Sequence, residues 1–125
     1  MRLLLDSHAL LWWLAGDPTL RPEAVAIIAE PASEVFVSAA TAWEIAIKQS
    51  LGKLEAPTDL EAQLHANGFE PLPITVSHAY AAGTLPLHHD DPFDRMLVAQ
   101  ADAEGLTVVT RDARIADYGV PTFQA

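Results

Sequence analysis

Three short apolar runs constrain this chain more than any other feature. "RLLLD" near the start, "EVFVS" in the first half and "LTVVT" near the end each close on a polar side chain. Runs this short and this continuously apolar read as strands buried on both faces, because a half-exposed strand would alternate. The segments between them are long enough for helices and too long for hairpins. Strands alternating with helices pack as a parallel sheet covered on both sides. The sequence therefore predicts an α/β three-layer sandwich with four to five parallel strands. Its 125 residues suffice for one core, and no linker, repeat or low-complexity stretch divides them, so residues 1–125 read as a single domain.

Local signals place the helices. One is expected over His8 to Ala15, stopped by Gly16-Asp17-Pro18, and another over Arg21 to Ala29 with Pro22 in its first turn. Ser38 is a suitable cap for Ala39 to Ser50, with Gly52 just past the end. A short helix reaches about Ala66, and "FEPLPI" can be no more than a Pro-marked edge strand. Val76 to Ala82 reads as helix and "GTLPLHHDDP" as loop. Asp91 and Pro92 then open a helix to Glu104, before Gly105, and "VPTF" is a candidate last strand.

In a parallel sheet, sites form at the carboxyl ends of the strands. Four acids fall there or close by. Asp6 follows the first run and separates two apolar stretches, where an ionised group is costly unless paired. It also suits a helix cap. Glu44 is the only charged residue between Val35 and Ile47, in a helix apolar nearly all round, which predicts that the helix is buried. Its simplest alternative is a surface pair with Lys48, four residues on. Asp94 is the third residue of its helix, where a carboxylate also suits the dipole. Asp112 ends "LTVVTRD" and could cap the segment after it.

Arg95, Arg111 and Lys48 are the only cations expected near these acids. Clustered carboxylates raise one another's pKa unless a cation neutralises them. Oxygen donors select a hard divalent ion, Mg²⁺ or Mn²⁺, and the chemistry suited to such a site is phosphodiester hydrolysis. His88 and His89 are candidate ligands or substrate contacts, but as adjacent residues in a Pro- and Asp-rich loop they read first as exposed. Trp12 and Trp13 are consecutive, so one is expected to meet the core and the other a groove or interface.

Composition limits the alternatives. There are no cysteines, so disulfides and thiolate metal sites are excluded and a reducing, cytoplasmic setting is expected. No apolar run is long enough for a membrane span. The formal net charge of −10 argues against a surface that collects nucleic acid indiscriminately. Any such substrate must be held by a local site, by metal ions or through a partner.

"LLLDSHALLWWL", "SAATAWEIAIKQSLGKL", "LPLHHDDPFDRMLVAQA" and "LTVVTRD" together resemble PIN domains. More narrowly, they resemble the VapC-type ribonuclease toxins of toxin–antitoxin operons, in the branch carrying Asp-Pro-Phe-Asp-Arg. The likeness runs from residue 2 to about residue 120. It implies a PIN-like sheet, Mg²⁺-dependent endoribonuclease activity on RNA, a cognate VapB-like antitoxin and assembly as a homodimer. By resemblance, Asp6, Glu44, Asp94 and Asp112 are both catalytic and metal-holding, with the Thr110 hydroxyl assisting Asp112.

Two other enzyme-like readings fit less well. A phosphoaspartyl phosphatase wants a second Asp where His8 stands. A receiver domain needs a lysine on a late strand, and none follows Lys53. A catalytically silent binding module using the same acidic rim remains open at this level.

Overall fold

The structure is a computed structural model that describes residues 1–125. Five parallel strands form one sheet in the order β3-β2-β1-β4-β5: β1 is Arg2–Leu5, β2 Glu34–Ser38, β3 Glu70–Leu72, β4 Thr107–Thr110 and β5 Thr122–Gln124. The three runs singled out above are its centre. Their neighbours are short edge strands, and Pro71, which has no N–H to donate, sits in the outermost one. Seven helices connect and cover the sheet: α1 (Ser7–Ala15), α2 (Pro22–Ala29), α3 (Ala39–Ser50), α4 (Leu60–Ala66), α5 (Val76–Thr84), α6 (Pro92–Glu104) and α7 (Ala113–Ala116). None is long and apolar enough to cross a membrane.

Alternation along β1 divides the core. Leu3 and Leu5 pack with Ala9, Leu10, Ala24, Ile28 and Ile45 on one face. Leu4 packs with Leu97, Val98, Leu106 and Ile115 on the other. Helices thus cover both faces, as continuous apolar strands require. Leu4 and Leu5 are fully buried on opposite faces of the central strand. Leu5→Ala is expected to cost about 2–5 kcal/mol through lost burial and a residual cavity, read from urea unfolding. A loss below about 1 kcal/mol would mean that β1 is not central.

Helix boundaries follow the caps. Asp6, Ser38, Asp91 and Asp112 each accept a hydrogen bond from the first turn of the helix that follows. Gly16 and Gly105 end α1 and α6 in the left-handed conformation, at φ 62° and 66°, which glycine adopts without strain. Helix α5 runs to Thr84, two residues beyond the expected end. The expectation that α3 is buried all round is corrected. Ala40, Thr41, Glu44 and Ile45 face inward, whereas Trp43 is exposed and packs edge-on against Phe93.

Candidate active site

The parallel register brings the carboxyl ends of β1, β2 and β4 to one rim. Leu5 pairs with Val109, and the Asp6 amide donates to the Val109 carbonyl at 3.2 Å, so Asp6 and the Thr110-Arg111-Asp112 turn leave the sheet side by side. Helix α3 starts at this rim from Ser38 and carries Glu44 about 9 Å along its axis. Helix α6 starts here too, with Asp91 as cap and Asp94 on its first turn. All four predicted acids line one pocket of about 170 Å³, together with Lys48, His89 and Arg114.

Their environments differ. Asp6 is buried, and its Oδ1 accepts from the Ala9 amide at 2.8 Å. Burial pushes its carboxyl above the usual range, against the opposing pull of hydrogen bonds from Ala9 and the Thr110 side chain. Glu44 is buried as well, and its Oε2 accepts from Lys48 Nζ at 2.7 Å. The i,i+4 pair is therefore real, and it lies at the wall of the pocket rather than on an outer strip. That bond raises the Lys48 ammonium above its ordinary range.

Asp94 is pushed up to about 7, first by burial, then by the neighbouring charge of Asp91, with Asp6 and Glu44 adding to it. Asp112 goes the other way. Arg114 holds it down at about 2 through a direct hydrogen bond, with Nη2 3.0 Å from Oδ2. Asp112 also caps α7, and its own amide donates to the Thr110 hydroxyl oxygen at 3.0 Å.

His89 corrects the expectation of an exposed histidine pair. His88 is exposed, but His89 is buried, with Nε2 2.9 Å from Asp112 Oδ2 and 3.0 Å from Asp94 Oδ2. Its Nδ1 accepts from the Asp91 amide at 3.1 Å, which leaves Nε2 as the proton-bearing nitrogen facing both carboxylates. A loop rich in Pro and Asp reads as solvent-facing. What draws this one inward is Arg95, whose guanidinium donates to the carbonyls of Ala82, Leu85, Pro86 and His89 at 2.9–3.2 Å. Tyr118 completes the clamp: its hydroxyl accepts from the His89 amide at 2.9 Å and donates to the Pro86 carbonyl at 2.7 Å.

Of the three cations expected near the acids, only Lys48 faces them. Arg95 donates to loop carbonyls and to the Tyr118 hydroxyl, and to none of the acids. Arg111 donates to the carbonyls of Thr19 and Ala125 and lies over the Trp12 ring. Lys48 does face the acids, and Arg114, which the sequence reading passed over, pairs with one of them. Trp13 packs against Phe69 and donates to Asn67, while Trp12 stacks on His8 beside the pocket.

An ammonium cannot be forked across several carbonyls as a guanidinium can. Arg95→Lys is therefore expected to loosen residues 82–89 and to speed exchange of the His89 amide hydrogen by at least about tenfold, the equivalent of one lost buried hydrogen bond. Unchanged exchange at that amide would contradict the clamp.

Comparison with known proteins places this arrangement. The family model of the PIN domain matches residues 3–121. The chain belongs to the PIN domain family. Ribonuclease VapC22 of Mycobacterium tuberculosis is 34% identical to this PIN domain over 122 residues, covering 95% of this chain and 93% of the relative. Among solved structures, VapBC2 from Rickettsia felis, bound to a DNA fragment from their promoter, superposes with a TM-score of 0.71 at 14% identity, covering 99% of this chain and 98% of that one. A toxin–antitoxin complex from Klebsiella pneumoniae gives 0.66 at 20% identity, covering 98% and 96%. At those identities the structural likeness speaks to the fold, a parallel five-stranded sheet flanked by helices.

The donor chemistry of the PIN domain's pocket also fits a divalent ion. Five carboxylates, the four predicted acids and Asp91, meet Lys48, Arg114 and the His89 N–H, and burial leaves Asp94 and Asp6 reluctant to ionise. Asp94 and Asp112 each bring a carboxylate oxygen within 4.8 Å of the other, held there by the His89 N–H between them. Oxygen-rich, charge-deficient sites of this type suit Mg²⁺ or Mn²⁺ rather than a soft metal.

Proposed function

We propose that this PIN domain, acting as one domain over residues 1–125, is a metal-dependent endoribonuclease and the toxin of a toxin–antitoxin pair. The observation that carries the reading is the meeting of Asp6, Glu44, Asp94 and Asp112 in one pocket at the carboxyl end of the sheet. The 34% identity to a ribonuclease across nearly the whole chain supports it. Asp6, Glu44, Asp94 and Asp112 would hold Mg²⁺, with Mn²⁺ as a substitute. When bound, the ion supplies Lewis-acid stabilisation of charge on the scissile phosphate and lowers the pKa of water for attack.

The chain's own groups do the rest. His89 Nε2 fixes the facing oxygens of Asp94 and Asp112, and Arg114 keeps Asp112 ionised. Lys48 balances Glu44, and the Ala9 amide and Thr110 orient Asp6. The low accessibility of Asp6 and Glu44 keeps bulk water from screening their charges.

A net charge of −10 suits a narrow choice of RNA, and equally a VapB-like antitoxin whose basic arm reaches the acidic pocket. The toxin–antitoxin complexes of the same fold support such a partner. Exposed Trp43, with Phe93 and Ile74 beside it, supports pairing with a second copy. Expression of the chain alone is expected to arrest growth and fragment cellular RNA, and expression of Asp6→Asn at the same level to do neither. Arrest of equal strength by Asp6→Asn would refute the nuclease reading.

A further inference from the structure

A second groove, of about 230 Å³, opens beside the acidic pocket and shares Asp6, His8 and Asp112 with it. Its remaining wall is an aromatic and cationic ladder. His8 and Trp12 lie one helical turn apart on α1 and stack with ring centroids 5.6 Å apart and planes 19° apart. The Arg111 guanidinium carbon lies 4.4 Å over the Trp12 ring centroid. Nε and Nη2 of Arg111 are fixed by the carbonyls of Thr19 and Ala125, and no protein group accepts from Nη1. The Trp12 indole N–H likewise has no protein acceptor, unlike that of Trp13.

The charge distribution points the same way. Only seven side chains in this acidic protein are Lys or Arg. Three of them, Lys48, Arg111 and Arg114, border these two joined pockets. A flat ring system next to anchored guanidinium groups offers what one unpaired nucleotide presents: a π face and a phosphate. A base inside a duplex has both faces occupied and could not use it.

We propose that His8, Trp12 and Arg111 form a subsite for one splayed-out nucleotide of single-stranded RNA, adjacent to the bond that is cut. The base stacks on the His8–Trp12 ladder, and a flanking phosphate accepts from Arg111. The proposal rests on the nuclease reading and adds to it the residues that position the nucleotide next to the cut.

The test uses a short unstructured RNA and a series in which each nucleotide in turn is made abasic, keeping the phosphates. Wild-type protein, His8→Ala and His8→Phe are compared for cleavage in Mg²⁺. Binding of the same RNAs is followed by fluorescence anisotropy in an Asp94→Asn background, which allows binding without cutting. Wild type is expected to lose about tenfold in kcat/KM and in affinity at one abasic position next to the cut, the effect of one lost stacking contact. His8→Ala is expected to lose about tenfold on intact RNA and nothing further on that abasic RNA, while His8→Phe stays near wild type.

Equal losses for His8→Ala on intact and abasic RNA would overturn the subsite and leave the nuclease reading standing. A wild-type protein that cuts none of these RNAs would overturn the nuclease reading, and the anisotropy series would still decide the subsite. Indifference of binding to every abasic position would overturn it too, and would make the groove a surface for a protein segment instead.

Discussion

Asp94→Asn is expected to lower RNA cleavage by about 10²–10⁴-fold and to remove most of the pH dependence of metal-free stability near neutrality. Both effects have one origin. Asp94 is raised from 3.8 to about 7 because burial and nearby carboxylates disfavour its charge. Below about pH 4 the carboxyl is neutral in the folded and the unfolded chain alike. Between there and about 7 the unfolded chain gives up its proton while the folded chain keeps it, so stability falls as pH rises and levels off above about 7. Asp6, raised by burial, adds to the same trend. Asp112, held at about 2, has the opposite sign: its contribution is present above 3.8 and is lost as pH falls through about 2.

Metal-free wild type should therefore melt at a higher temperature near about pH 5 than near about pH 8. Mg²⁺ should recover much of the difference at the higher pH by binding the ionised site. In Asp94→Asn the slope flattens and the Mg²⁺ response shrinks. A variant with an unchanged melting profile and an unchanged Mg²⁺ response would show that Asp94 is a helix-turn carboxylate and nothing more.

Glu44→Gln is expected to cut activity by at least about 10²-fold while leaving metal-free stability equal or higher. Glu44 is buried, so its charge is carried at a cost that Lys48 offsets from one side only. It also disfavours the charged forms of Asp6 and Asp94, and removing that repulsion stabilises the empty cluster. Glutamine keeps the volume and can still accept from Lys48. A surface ion pair would behave differently, costing a few tenths of a kcal/mol with no change in cleavage. Thermal melting and cleavage measured on one preparation separate the two cases.

The legible parts of this molecule were those written in local pattern. Leu3, Leu4 and Leu5 read as a buried strand because nothing polar interrupts them, and Asp91-Pro92 reads as a helix start because one residue caps and the other tolerates a missing bond. Glu44 stood out because its apolar surroundings leave a charge little reason to be there. The sheet order was not legible, since nothing in sequence order says that β4 lies against β1.

His89 was obscured by its setting. Its burial depends on Arg95, six residues on, and on Tyr118, 29 residues away, binding the same loop. Tyr118 is the long-range part, and no local periodicity reports it. The Arg95 of Asp-Pro-Phe-Asp-Arg was a usable signal, but read as a charge near the acids rather than as a fork for carbonyls. Arg114 was equally hidden, because its pairing with Asp112 depends on the turn of α7.

The most direct measurement is single-turnover cleavage of one defined single-stranded RNA by purified wild type, Asp6→Asn and Asp94→Asn. Each is followed across a Mg²⁺ titration and in excess chelator. The predicted result is cleavage by wild type that rises with Mg²⁺ and vanishes in chelator, with both variants at least about 10²-fold slower at every concentration. Cleavage that persists in chelator, or that proceeds at the wild-type rate in either variant, would contradict a carboxylate-held metal nuclease at this rim.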